Sequence, residues 1–364
     1  MVRVRRWFSS ALCVGFAALF CGCENTARLP SDVYVWNRSW SAAVQQSVSD
    51  LPPGVSAVRV LLDEVGPTPA EITVDLKALV RARAPVIAVL RAGKAMPTEA
   101  DLQRLNARVI ALRTRGLSVD QVELDFDAPT EGLGAWVERL QQLKVPGRRL
   151  SVTALPTWAS SPHAAALANA VDEVVLQVHT VRAPTLFDAE QALADARQWA
   201  EATHRPFRVA LPAYRATLAD GQQVAAEPAA VAAAMRALER LPEVSGFVFF
   251  RLGNREDRGA WSPATLEAVL RREPVPAPQV EVQLEAFDPA GHDVWVVNTG
   301  RLDALAPRHF GVSGAIAHSE ATTGYQGHAD ADAARFTTPH PLWLRPGERI
   351  RVGTVRGENL NVSQ

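Results

Sequence analysis

"QVELDFD", residues 121–127, has the two-faced pattern of a β-strand. Successive side chains of a strand point to opposite sides. Val122, Leu124 and Phe126 therefore share one face, and Glu123, Asp125 and Asp127 share the other. With Asp120 just before, four acids fall within eight positions, yet the residues between them are core formers. In a barrel strand one face meets the surrounding helices and the other lines the interior. The apolar set must meet the helices, so the carboxylates point inward.

The flanking sequence supplies the rest of such a barrel. Seven more strand candidates surround this one: "DVYVWN" (32–37), "VSAVRVLLDEV" (55–65), "PVIAVLRAG" (85–93), "RLSVTALPTW" (149–158), "EVVLQVHTV" (173–181), "PFRVALPAY" (206–214) and "GFVFFRLGN" (246–254). Between them lie stretches such as 99–116, 133–145, 188–204 and 227–241, with apolar residues recurring three and four apart. The last helix, "SPATLEAVLRRE" (262–273), opens with Ser262 as N-cap and Pro263 at the first helical position. Strands alternating with helices form parallel βαβ units. Eight such units predict an α/β fold, a (β/α)8 TIM barrel over residues 24–272. A doubly wound open sheet is the alternative, and the strand count favours closure.

"EPVPAP" (273–278) begins a stiff linker over residues 273–279. The helical period then stops. "VEVQLEAFD" (280–288), "HDVWVVNTG" (292–300), "HFGVSGAIA" (309–317) and "ERIRVGTVRG" (348–357) read as strands of a small all-β, sandwich-like domain over 280–364. A Pro-rich linker with few crossing contacts predicts that this domain is separable.

The first 23 residues form a segment of a different kind. Arg3, Arg5 and Arg6 precede an apolar run from Trp7 to Phe20, about 14 residues long and too short to span a bilayer. "FCGC" (20–23) resembles a bacterial lipobox, which makes Cys23 the expected lipidation site; an ordinary cleaved signal peptide is the alternative. The only other cysteines, Cys13 and Cys21, lie in the same segment, so the mature chain has no free thiol for catalysis or zinc binding. The expected location is the cell envelope, with a lipid anchor as the membrane partner. A net charge of −1 argues against a nucleic-acid partner. No phosphate loop, His-Glu-x-x-His pattern or nucleophile elbow occurs, and neither a cofactor nor a metal is expected. Nothing in the sequence sets the oligomeric state.

Three stacked acids cannot all be charged cheaply in a low-dielectric interior. Asp127, nearest the C-terminal rim where barrel active sites sit, is the candidate acid, with Asp125 its partner and Glu123 the deep support. A non-catalytic network paired by Arg59, Arg91 or Arg251 is the competing reading. Trp36, Trp40 and Trp158 fall at or past strand ends, where rings either stack on sugar faces or simply pack. Trp136 and Trp199, on helices, are expected to pack. Gln177 and His179 share inward parity. "GNRED" (253–257) is either rim or a charged loop.

"DQVELDFD" resembles the fourth-strand Asp-x-x-Asp-x-Asp-x-Glu signature of chitinase-type, family 18 glycoside hydrolases. Glu123 stands for the second Asp and Asp127 for the terminal Glu, one methylene shorter, which draws the acid back by roughly 1.5 Å. The resemblance implies that Asp127 protonates the leaving oxygen while Asp125 supports a substrate acetamido group. "LPAY" (211–214) is similar to the family's seventh-strand Pro-x-Tyr, placing Tyr214 at the rim. Gln177, His179 and Thr180 stand where the family has Met-x-Tyr-Asp, and Phe250 lies near its eighth-strand Trp. The chain as a whole resembles an uncharacterised family of bacterial envelope lipoproteins through "YVWNRSW" (34–40), "ELDFDAP" (123–129) and a barrel followed by a β tail. Together these imply an exported lipoprotein that binds, or slowly hydrolyses, an N-acetylhexosamine-type glycan, with Tyr214, Trp36, Trp158, Gln177, His179 and Arg251 contacting it. A non-catalytic envelope scaffold or binding protein is the alternative.

Overall fold

The computed structural model describes residues 28–66, 71–143, 145, 147–179, 186–219 and 223–363. The first 23 residues, with the expected lipidation site Cys23, and the residue Thr180 lie outside these ranges.

Eight parallel strands close a ring: β1 (Ser31–Val35), β2 (Val55–Glu64), β3 (Val86–Ala92), β4 (Gln121–Phe126), β5 (Arg149–Ala154), β6 (Glu173–Gln177), β7 (Phe207–Pro212) and β8 (Val244–Phe250). β1 pairs with both β2 and β8, so no edge is left open and the doubly wound sheet is excluded. The helices are α1 (Ala42–Ser49), α2 (Leu76–Ala82), α3 (Glu99–Arg113), α4 (Leu133–Gln142), α5 (Ala164–Ala170), α6 (Ala189–Thr203), α7 (Pro228–Leu238) and α8 (Pro263–Leu270). Each buries its apolar stripe on the strands. On α4 that stripe is Leu133, Trp136, Val137 and Leu140, and burying an apolar side chain of this kind stabilises by about 1.5–3 kcal/mol. Trp136 and Trp199 are fully buried packing residues, as expected. Helix α8 starts where its signals put it, with the Ser262 hydroxyl accepting from Thr265 N at 3.3 Å.

The fifth strand is shorter than its apolar run. It ends at Ala154, and Pro156–Ser160 turns into a 3-10 helix. Proline lacks an N–H and suits the first turn of a helix better than a ladder.

The C-terminal region is all-β. Strands β9 (Val280–Ala286), β10 (Gly291–Asn298), β11 (His309–Ala321), β12 (Gln326–Ala329), β13 (Ala333–Thr337) and β14 (Arg349–Ser363) form one antiparallel sheet in the order β9-β10-β14-β11-β13-β12. A ribbon of Ala304–Leu305 with Trp343–Leu344 stands apart from it. Val294, Val296, Phe310, Val312, Phe336 and Val352 make a core separate from that of the barrel.

The seam between the two parts is not bare. Trp343 of the ribbon belongs to the barrel's core, and Val275 of the linker packs there too. Asp303 Oδ2 accepts from Ser262 N at 2.6 Å, and Asp303 N donates to Thr265 Oγ1 at 2.9 Å, tying the module to the start of α8. The expectation of few crossing contacts thus meets a buried, hydrogen-bonded boundary.

Candidate active site

The inward acids of β4 divide by depth. Strand pairing sets Val89 beside Glu123 and Tyr34 beside Arg59. At this level the interior is an ion network. Arg59 is fully buried; its Nη2 lies 2.8 Å from Asp32 Oδ2 and 2.7 Å from Glu173 Oε1, and its Nη1 contacts Glu123. Arg208 Nε donates to Glu173 Oε2 at 2.8 Å. Tyr34 Oη donates to Glu123 Oε1 at 2.6 Å. Gly246 leaves the space this needs, because a Cβ there would stand 2.8 Å from Arg208 Nη1. Burial pushes the Glu123 carboxyl up, against the pull of Arg59. Burial also acts upward on Glu173, but Arg59 and Arg208 together hold it down at about 2.

Glu123 is therefore a counter-ion in a structural cluster. The paired reading of the acid stack applies at the bottom, where Arg59 neutralises Glu123. Among the described residues Asp125 and Asp127 form no direct ion pair, and the one charge that opposes their upward shift is that of Arg91. Of the other candidate cations, Arg251 is paired with Asp257, whereas Arg91 lines the mouth and its charge acts on both Asp125 and Asp127. Arg91 is 45% exposed at the rim.

Above the network lies a cavity of about 170 Å³ at the C-terminal mouth of the barrel. Asp125, Asp127, Trp36, Gln177, His179 and Tyr214 all line it, six of the expected site residues in one place. Asp125 Oδ1 accepts from Thr153 Oγ1 at 2.8 Å. Burial and then the charge of Asp127 push Asp125 up to about 7, although the Thr153 bond opposes them. Asp127, at the exposed rim, is also raised by burial, and Arg91 pulls the other way. The charge of Asp127 thus acts on Asp125, the deeper of the two.

Aromatic rings form the wall. Phe250 stands 5.3 Å from Trp36, 5.4 Å from Tyr214 and 5.7 Å from Tyr34. His179 stacks on Phe250 at 6.1 Å and meets Tyr214 edge-on at 5.6 Å. Its Nδ1 is 3.4 Å from the Ala210 carbonyl oxygen. Since that oxygen can only accept, Nδ1 carries the proton and the neutral ring leaves Nε2 as an acceptor. Burial pushes His179 down to about 4, so the ring is neutral at physiological pH. Burial also pushes the Tyr214 hydroxyl up to about 12, leaving it a donor. The site thus offers two neighbouring carboxyls, a neutral imidazole, a phenol and a flanking guanidinium in a ring-lined cup.

Two expected contacts fall outside it. Trp158 is fully buried behind the strands, with Nε1 donating to Ala128 O at 2.9 Å. The early end of β5 turns its ring into the core. Arg251 forms an ion pair with Asp257, Nη1 to Oδ2 at 2.9 Å, and holds the loop after β8. Trp40 is buried as well. Tyr34 and Thr153 were not anticipated. Tyr34 shares the parity of Trp36, and Thr153 shares that of Ser151 on the strand next to β4, so alternation alone could have pointed to both.

Residues 82–259 match the model of a family described as a domain of unknown function, DUF3142. That stretch runs from the end of α2 through β8 and includes both carboxyls of the mouth. No curated protein matches the chain. Among solved structures, the chain is similar to a class V chitinase from Pseudomonas fluorescens Pf-5, at 11% identity and a TM-score of 0.51, over 67% of this chain and 99% of that one. It is also similar to the spore cortex-lytic enzyme SleL of Bacillus megaterium QM B1551, at 12% identity and a TM-score of 0.50, over 67% and 73%. At these identities the likeness is one of fold alone, a closed (β/α)8 barrel.

Proposed function

We propose that the barrel mouth binds a glycan with an N-acetylhexosamine residue seated in the ring-lined cup, and that the Asp125–Asp127 pair hydrolyses it slowly. The observation that carries this reading is a pair of carboxyls without a direct ion partner inside an aromatic cup at the C-terminal end of the barrel. Aromatic walls suit the apolar C–H faces of a pyranose. The cavity is smaller than the 300–1,000 Å³ typical of ligand sites, which fits one sugar residue better than a long segment. Between their two titrations the carboxyls share one proton. Asp127, facing the opening, delivers it to the leaving oxygen, and Asp125 beside it supports the acetamido group. Tyr214 donates to a sugar oxygen, and the unprotonated Nε2 of His179 accepts from a sugar hydroxyl or amide. Two proteins of like fold carry names that refer to chitin or spore-cortex breakdown. We place the protein in the cell envelope, anchored through a lipid on Cys23.

A binding protein without turnover is the second reading. The short side chain of Asp127 and its Arg91 neighbour favour it, since both reduce the reach and proton affinity of the acid. One experiment separates the readings: N-acetylglucosamine oligomers assayed for binding and for hydrolysis with the wild type and Asp127→Asn. Binding in both proteins with hydrolysis in the wild type alone supports the enzyme. Binding in both with hydrolysis in neither supports the binding protein, and no binding in either rejects the glycan.

A further inference from the structure

The loop between β8 and α8, residues 251–262, has one side on the pocket and the other on the C-terminal module. On the pocket side its bonds are to the residues that carry the wall. Ala213 N donates to Phe250 O at 2.6 Å, Arg215 N to Gly259 O at 2.9 Å, and Trp261 N to Ala213 O at 2.8 Å. Tyr214 lies between these bonds and bridges Ala260. Leu252 N donates to Tyr34 O at 2.8 Å. The loop therefore grips the chain on both sides of Tyr214 and begins at Phe250.

On the module side the guanidinium of Arg345 makes the most bonds to the loop, beside the links of Arg258 to Glu348 and of Ser262 N to Asp303. Arg345 Nη1 donates to Arg255 O at 2.6 Å, and Nη2 donates to Asn254 O at 3.0 Å and also to Asp257 O. Three carbonyls in one turn converge on a planar fork, a geometry a lysine ammonium cannot reproduce. Beside it Arg258 Nη1 meets Glu348 Oε2 at 2.5 Å. The loop between these two sides is stiff. Asn254 Oδ1 accepts from Glu256 N and Asp257 N at 2.9 and 3.0 Å, and Asp257 Oδ1 accepts from Gly259 N at 2.8 Å. Gly253 packs so closely that a Cβ would come 2.0 Å from Trp261 O. A displacement at the Arg345 end is thus transmitted to the wall.

We propose that the C-terminal β module braces the barrel mouth, with Arg345 as the positioning residue that holds the β8–α8 loop and, through it, Tyr214 and Phe250. To call this wall part of a glycan site rests on the reading above. The brace itself does not, and its test needs no glycan.

His179 reports on the wall, because it packs on both Phe250 and Tyr214. The experiment is an NMR pH titration of the His179 ring in the full chain, assigned with His179→Gln. The wild-type ring, pushed down by burial, is expected to titrate at about 4. In Arg345→Ala, water reaching the ring raises this by about one pH unit or more, with a smaller rise in Arg345→Lys. Arg356→Ala, on the module but away from the loop, leaves it unchanged. Should Arg345→Ala fail to fold, Arg345→Lys and Gly253→Ala carry the test, the latter moving the loop from the barrel side; both raise the His179 titration. A fall in melting temperature with His179 still titrating at about 4 in these variants would make the seam a stability contact and overturn the brace. The titration is read without glycan, so the two proposals fail separately.

Discussion

Asp125→Asn is expected to stabilise the protein at pH 8 and leave it unchanged at pH 4. Asp125 is pushed from 3.8 to about 7 on folding. A raised acid is one whose protonated form the fold prefers. Its cost is absent below the unfolded value, near 4, grows as pH rises, and is complete above the folded value of about 7. The interval is about three pH units, and at about 1.4 kcal/mol for each it corresponds to about 4 kcal/mol. Asp125 is partly open to the cup, and solvent screening reduces the recoverable part to about 2 kcal/mol. Asparagine keeps the acceptor for Thr153 Oγ1, so the 2.8 Å bond survives. Melting temperatures at pH 4, 6 and 8 measure the effect. For a domain of this size 2 kcal/mol is about 4–8 °C, present at pH 8 and gone at pH 4. An equal gain at both pH values would show that the charge is not the cause. A loss at both would show the carboxylate paired with a cation, and the reasoning about an unneutralised pair would be wrong.

Arg59→Met should lose at least about 3–5 kcal/mol in urea unfolding, because Asp32, Glu123 and Glu173 would keep only Arg208 between them; a loss under about 1 kcal/mol would mean that the network is not the floor of the fold. Glu173, held at about 2 against an ordinary 4.5, contributes stability above pH 4.5 that is lost as pH falls toward 2. Glu173→Gln should therefore flatten the acid limb of the stability curve, and an unchanged slope between pH 5 and 3 counts against it. Trp158→Phe should cost about 1–3 kcal/mol through the lost bond to Ala128 O and the void left by the smaller ring, without altering glycan affinity. Cys23→Ser should move the protein from the membrane to the soluble fraction in detergent-free fractionation; if it stays with the membrane, the lipid anchor is refuted.

Period-two alternation made the barrel legible. The apolar face of β4 had to meet helices, so the direction of Asp125 and Asp127 followed from Val122, Leu124 and Phe126 alone. What separates Glu123 from its neighbours was not legible, because Arg59 and Arg208 reach it or its cluster from β2 and β7, and strand register is fixed only when the ring closes. Trp158 misled for a local reason: the apolar run continues past Ala154, while Pro156 ends the strand. His179 and Gln177 were found by parity, and Tyr34 and Thr153 obey the same rule. Arg345 left no trace in the sequence, since its partners are backbone carbonyls, which every residue has.

The Arg59 cluster also decides how protons travel. Arginine does not release its proton in proteins, and the layer of Arg59, Asp32 and Glu123 is closed to solvent. The floor of the cup is therefore dry, and the carboxyl pair meets water through the opening. On the proposed reading, a ligand seated there would slow proton exchange at Asp125, the deeper acid, more than at the exposed Asp127.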